Sequence, residues 1–278
     1  MEWLGILIVI VIIAFIGSYI YFGDGIAKFT VGIASDKVSF LSKSETAAFL
    51  KADPDRYISL LTTPDLVARG VGTHSAYIDK ASAAAADYSM KEKMYLVECA
   101  LDADASMTVT CPGFAIRLAQ QIPWVFAKTE GKEYEAGLPH TRANVVFITG
   151  EQLAGPKESV VETLMHEKVH LYQRLYPDGT AAYIKSKGFL LWKQRDSEPL
   201  IRANPDVDPY IYIDPVTKGP MGAYYSSEKP KSITDVTYTP INQPMYEHPF
   251  ELMAYELQGP GPVPRPLRGA APLEINGD

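Results

Sequence analysis

Two cysteines in 278 residues, Cys99 and Cys111, are too few for a disulfide scaffold or a cysteine-type zinc site. They read as buried free thiols, with a single bridge as the alternative. The chain has no N-x-Ser/Thr sequon, so glycosylation says nothing about which compartment it occupies. It also has no basic block: 26 Lys and Arg stand against 33 Asp and Glu, for a net charge of −7. Nucleic-acid binding needs clustered cations to displace counterions from phosphates, so no nucleic-acid partner is expected. Internal repeats are lacking too, which argues against a solenoid or propeller.

One long apolar run is present. "WLGILIVIVIIAFIGSYIYF", Trp3 to Phe22, carries no charge over 20 residues. As a helix it would span ~30 Å, the thickness of a bilayer's hydrocarbon core. Aromatic residues near both ends suit the two interfaces. The run is longer than a signal-peptide core, no basic segment precedes it and no A-x-A site follows, so residues 1–23 are expected to be a retained single-pass anchor. Lys28 and Lys37 follow the run and no Lys or Arg precedes it, which leans towards a cytoplasmic body.

Residues 24–110 read as a helical region. "SKSETAAFLKAD" offers a capping box from Ser42 to Glu45. "TPDLVARG" places Thr63 as N-cap and Pro64 at the first helical position, and "SAAAADYS" and "MKEKMYLVECALDADA" continue the helical bias. From 111 to 258 the pattern is mixed. "IPWVFAK", "ANVVFIT", "PYIYI", "MGAYYS" and "SITDVTYT" read as short strands, as does "MTVT" just before. The Pro- and Gly-rich stretch 259–278 reads as a mobile tail.

Between the strands, a helix should run from after Gly155-Pro156 to before Pro177, with Val161, Met165, Val169, Tyr172 and Tyr176 as its apolar stripe. It carries "HEKVH", with two of the chain's five histidines four residues apart. Residues i and i+4 share a helix face, so His166 and His170 can aim imidazole nitrogens at one point, an arrangement that suits tetrahedral zinc. Glu167, turned partly round the helix, can reach a water held there and act as general base. A third ligand is expected from "MYEHPFELMAY". Glu251 is favoured because Pro249 starts a helix there and fixes its position, with His248 and Glu247 as alternatives. A solvated helix face, with Glu167 paired to Lys168 or Arg174, is the competing interpretation.

"HEKVH" followed by "ELMAY" resembles the gluzincins, zinc metallopeptidases built on HExxH and a downstream glutamate. "GLPHTRANVVFIT" is similar to the edge strand that in those enzymes lies antiparallel to a bound peptide. The resemblance covers roughly residues 120–258. It implies an α+β zincin-like core: a small mixed sheet with an edge strand, the HExxH helix and a C-terminal glutamate helix, behind the N-terminal transmembrane helix. It further implies one Zn2+ per chain on His166, His170 and Glu251, Glu167 as base and proton shuttle, and a peptide or protein substrate added to the edge of "RANVVFIT". Tyr255 stands four after Glu251, near where many gluzincins carry an Asp that supports a ligand histidine. His140 reads equally as a substrate or oxyanion contact and as a strand-end residue that fixes a loop; a tyrosine is the other oxyanion candidate, Tyr225 among Tyr224, Tyr225, Tyr238 and Tyr246. The other function classes left open are a catalytically inactive zincin-like binding protein and a membrane scaffold without metal.

Overall fold

A computed structural model describes residues 37–259. The apolar run at 3–22 and the tail from 260 onwards lie outside the described residues, as do 24–36. Among the described residues, no helix is long and apolar enough to cross a membrane.

The described chain is mixed α+β, with nine α-helices and small sheets. The central sheet runs β1 (Val38–Phe40), β3 (Trp124–Thr129), β5 (Val145–Phe147), β4 (His140–Arg142). The β1–β3 and β3–β5 pairs are parallel, and β4 closes antiparallel on β5. Alternation along β3 and β5 divides the interior in two. Trp124, Phe126 and Val146 join a cluster with Leu96, Leu164, Val169 and Met253. Ala127, Val145 and Phe147 face the opposite side, against Leu50, Ile58, Tyr77 and Tyr134. Helices therefore cover both faces. α1 (Lys43–Ala52) and α3 (His74–Ala83) lie on one, and α4 (Met90–Ser106), α7 (Lys157–Leu175) and α9 (Pro249–Leu257) on the other.

Several local expectations hold for local reasons. α1 starts on the Ser42–Glu45 capping box, and α7 runs from Lys157 to just before Pro177. Others are corrected by tertiary pairing. The 24–110 segment is not a helical unit of its own. β1 joins the central sheet, and β2 (Ala85–Ala86) pairs with the far end of β3, so two alanines of "SAAAADYS" form a strand. α2 (Thr63–Ala68) is capped by Thr62, boxed with Asp65, and Thr63 is already inside it. "MTVT" forms no strand; the chain leaves α4 at Met107 without a ladder partner.

Pro177 both stops α7 and starts α8 (Pro177–Lys187), where its missing N–H costs nothing. This junction requires glycine. A Cβ on Gly113 would lie 2.0 Å from the Gly179 carbonyl oxygen, and Gly113 has a φ of +82°. After α8 come two ribbons, β6 (Leu190–Gln194) with β7 (Tyr210–Ile213), and β8 (Gly222–Tyr225) with β9 (Val236–Thr239).

Candidate metal centre

α7 buries Val160, Leu164, Met165, Val169 and Tyr172 against the sheet and α4. Its other side meets α9, which brings Glu251 in its first turn. The three expected ligands converge. His166 Nε2 lies 3.0 Å from His170 Nε2 and 3.2 Å from Glu251 Oε2, and His170 Nε2 is 3.9 Å from Glu251 Oε1. Four ligands at zinc distances on a tetrahedron stand about 3.3–3.4 Å apart. The spacing fits such an ion.

The supporting contacts fit as well. His166 Nδ1 faces Gln258 Oε1 at 3.2 Å and His170 Nδ1 faces Gln173 Oε1 at 2.9 Å. Amide oxygens only accept, so each Nδ1 carries the proton and each Nε2 turns a lone pair inward. Two lone pairs 3.0 Å apart repel unless a positive species lies between them. Without an ion, Glu251 provides for one proton. Burial works against charge on His166, but the Glu251 hydrogen bond outweighs it and raises that imidazole's pKa. Burial holds His170 down to about 3, so it stays neutral. Burial would raise Glu251, yet the His166 hydrogen bond and both imidazoles keep it at about 2. Asn204 Nδ2 donates to Glu251 Oε1 at 2.7 Å and fixes the carboxylate's rotation.

Glu167 is buried beside this group. Thr141 Oγ1 donates to its Oε2 at 2.8 Å, and its Oε1 has no hydrogen-bond partner among the described residues. Burial pushes its carboxyl up to about 7, against the opposing pull of His166. Asp206 is the third acid here; burial first, then the charges of Glu167 and Glu251, push it well above the usual carboxylate range. The solvated-face interpretation fails on burial. His170 and Glu167 are 0% and 2% exposed, Lys168 pairs with Asp104, and Arg174 donates to the carbonyls of Thr141 and Pro205. The group stands at the wall of a cleft of about 1090 Å3.

The edge strand differs from the expectation. Val145–Phe147 is interior, between β3 and β4, so the "RANVVFIT" segment does not present the free edge. The edge belongs to β4, and its outward groups are already engaged. Pro139 has no N–H, the Thr141 N–H donates to Asp206 Oδ1, and the Ala143 N–H donates to Asp55 Oδ2. The Thr141 carbonyl accepts from Arg174. A substrate strand cannot add along this edge while those contacts hold.

His140 and Tyr225 are not placed as expected. The register sets Thr141 beside Val146, facing α7, so His140 and Arg142 face the opposite side. His140 stacks on Phe147 at 4.9 Å, and its Nδ1 donates to the Leu138 carbonyl at 2.9 Å. It borders the cleft without aiming at the metal ligands. Tyr225 is buried with Ala68 and Ile233, its hydroxyl donating to Asp65 Oδ1 at 3.1 Å, away from the cleft. Of the named tyrosines only Tyr238 lines the cleft. Tyr255 does so too, its ring 4.6 Å from that of His166.

The alternative ligands are committed elsewhere. His248 is the N-cap of α9, accepting the Phe250 N–H on Nδ1, with Nε2 3.2 Å from Asp208. Glu247 Oε2 accepts from Arg202 at 2.6 Å. Cys99 and Cys111 are both free thiols.

His140 gives a pH signature. Burial lowers its pKa from 6.5 to about 4, with Glu135 and Asp55 pulling up and Arg142 pulling down. Below pH 6.5 the unfolded chain takes a proton that the folded chain refuses until about pH 4. Stability is therefore full above that window and is lost as pH falls through it, by up to about 3 kcal/mol from this group. Urea unfolding at pH 7 and at pH 4 checks this. The wild type should lose more stability than His140→Gln, and equal losses would show that the imidazole is not held neutral.

Sequence reasoning missed Thr141, Gln173, Asn204, Asp206 and Gln258. Gln173 at i+3 from His170, and Gln258 at i+7 from Glu251, were at helical spacing from a ligand and could have been found. Asn204 and Asp206 lie in a loop, where no periodicity marks them. No family model, curated protein or solved structure matches the chain.

Proposed function

We propose that the chain is a zinc-dependent peptidase of gluzincin type with a zincin-like α+β core, held to a membrane by residues 3–22. The observation that carries this reading is the convergence of His166 Nε2, His170 Nε2 and a Glu251 oxygen, all within 4.8 Å of one another, beside a buried glutamate with one free oxygen.

His166, His170 and Glu251 would hold the ion, with Gln258, Gln173 and Asn204 fixing each ligand's orientation. Zinc, when bound, supplies a Lewis acid that acidifies a water and polarises a carbonyl. Glu167 takes the proton from the attacking water on Oε1, while Thr141 keeps Oε2 in place. The same carboxyl then returns the proton to the leaving amine. Burial, which raises this carboxyl above the usual carboxylate range, makes it a stronger base for that transfer. Tyr238 and Tyr255 are the tyrosines on the cleft wall and are candidates to stabilise a developing oxyanion.

The engaged β4 edge favours a second reading, a zincin-like binding protein that cuts nothing, because an extended peptide cannot pair there as it does in the resembled enzymes. Hydrolysis separates the two. The full chain, incubated with a mixed peptide pool, should lose at least about 100-fold in cleavage rate on chelation and regain it with one equivalent of zinc. Cleavage that persists unchanged in chelator would overturn the zinc reading.

A further inference from the structure

β6 leaves three consecutive apolar side chains open to solvent. Leu190, Leu191 and Trp192 are 66%, 57% and 45% exposed. A strand packed on a core hides every second side chain, and this one hides none of the three. β7 explains the difference, because it lies on the inner side of the ribbon, with Tyr212 packed against Phe189, Met221 and Leu252. A register shift between Leu191 and Lys193 displaces Trp192 from the ladder. The turn after β7 adds Val216, 83% exposed, to the same end. Leu190 pairs with Ile213, which leads into that turn.

The segment that carries this patch is itself basic. "KSKGFLLWKQ", residues 185–194, contains three lysines and no acid. Lys193 lies 3.8 Å from the Trp192 ring centroid, and Lys185 and Lys218 are exposed. Lys187 and Lys193 pair with Glu256 and Glu198, and Asp214 is buried, so Lys185 and Lys218 are the exposed cations left, with Asp196 an exposed acid just past the strand. An aromatic ring with aliphatic neighbours and a rim of amines matches the headgroup region of an anionic bilayer.

We propose that the β6–β7 ribbon lies in the interface of the bilayer that residues 3–22 enter, with Leu190, Leu191 and Trp192 below the headgroups. This rests on the reading of 3–22 as membrane-embedded. The 15 residues from 23 to 37 could span at most ~50 Å, a tether long enough for the folded part to turn this ribbon towards that same bilayer. Apolar and basic groups there would act together with the anchor, each adding to the other's hold.

The chain has three tryptophans, Trp3, Trp124 and Trp192, and Trp124 is buried in the core. The full chain is reconstituted in phosphatidylcholine–phosphatidylglycerol vesicles whose acyl chains are brominated close to the headgroups. Wild type should lose about twofold more emission to bromine than Trp192→Phe, since two rings rather than one reach that depth. Leu190→Asp with Leu191→Asp should bring wild-type quenching down to the Trp192→Phe level. Equal quenching in wild type and Trp192→Phe would overturn the proposal, leaving the ribbon in water or on a second copy. No quenching in any variant would overturn the anchor on which it depends. Neither readout uses hydrolysis, so each is independent of the peptidase reading.

Discussion

Glu251→Ala should strip the metal from the protein. Purified wild type is expected to hold about one zinc per chain, and the variant to bind it at least ~100-fold more weakly, since even loss of a supporting residue costs about 10–100-fold. The carboxylate would supply the third ligand and the only formal negative charge among the three. Its removal leaves two neutral imidazoles and an unpaired Asn204 amide around the ion. The fold should survive, because α9 is held by buried Leu252, Met253, Ala254 and Leu257 rather than by this side chain. Metal content after dialysis, read beside circular dichroism, decides the matter. One zinc in both proteins would reassign the third ligand and require Glu247 to leave Arg202 or His248 to leave its cap. A folded wild type without zinc would end the metal reading.

Glu167→Gln should do the reverse, keeping zinc and losing turnover. The amide has the carboxylate's shape, and its oxygen can still accept from Thr141 Oγ1, so the pocket need not rearrange. It cannot take a proton, and a fall in kcat of roughly 10³-fold is expected from loss of a general base. Peptide binding should change little, which sets this variant apart from one that has merely lost its fold. Equal cleavage by wild type and Glu167→Gln would remove Glu167 from the chemistry. If neither cleaves while both hold zinc and bind peptide, the binding-protein reading stands.

The centre was legible where chemistry follows local spacing. His166, Glu167 and His170 share a helix because four residues make about one turn. Glu251 was legible because Pro249 marks a helix start. His140 failed for a different reason. All three residues of β4 are buried, so no alternation in polarity showed which one faced the helix, and pairing with β5 alone set Thr141 there. The tyrosine-rich strands were equally silent about phase, and Tyr225 fell on a face packed against Ala68. "SAAAADYS" misled because alanine favours helix intrinsically, while pairing with β3 gives Ala85 and Ala86 ladder partners. Asp206 caps an edge formed by residues some 65 positions earlier in the chain. Nothing local could mark it.

Gln173 links two parts of the centre with a single amide. Its oxygen accepts from His170, and its nitrogen donates to the Phe250 carbonyl in the first turn of α9, one residue before Glu251. His170 and the backbone that carries Glu251 are thereby joined behind the His166–His170–Glu251 group. Detachment of α9 would break the amide bridge and the Glu251 contact together. A bound ion would therefore stabilise the docking of α9, and loosening of α9 would weaken the ion's hold.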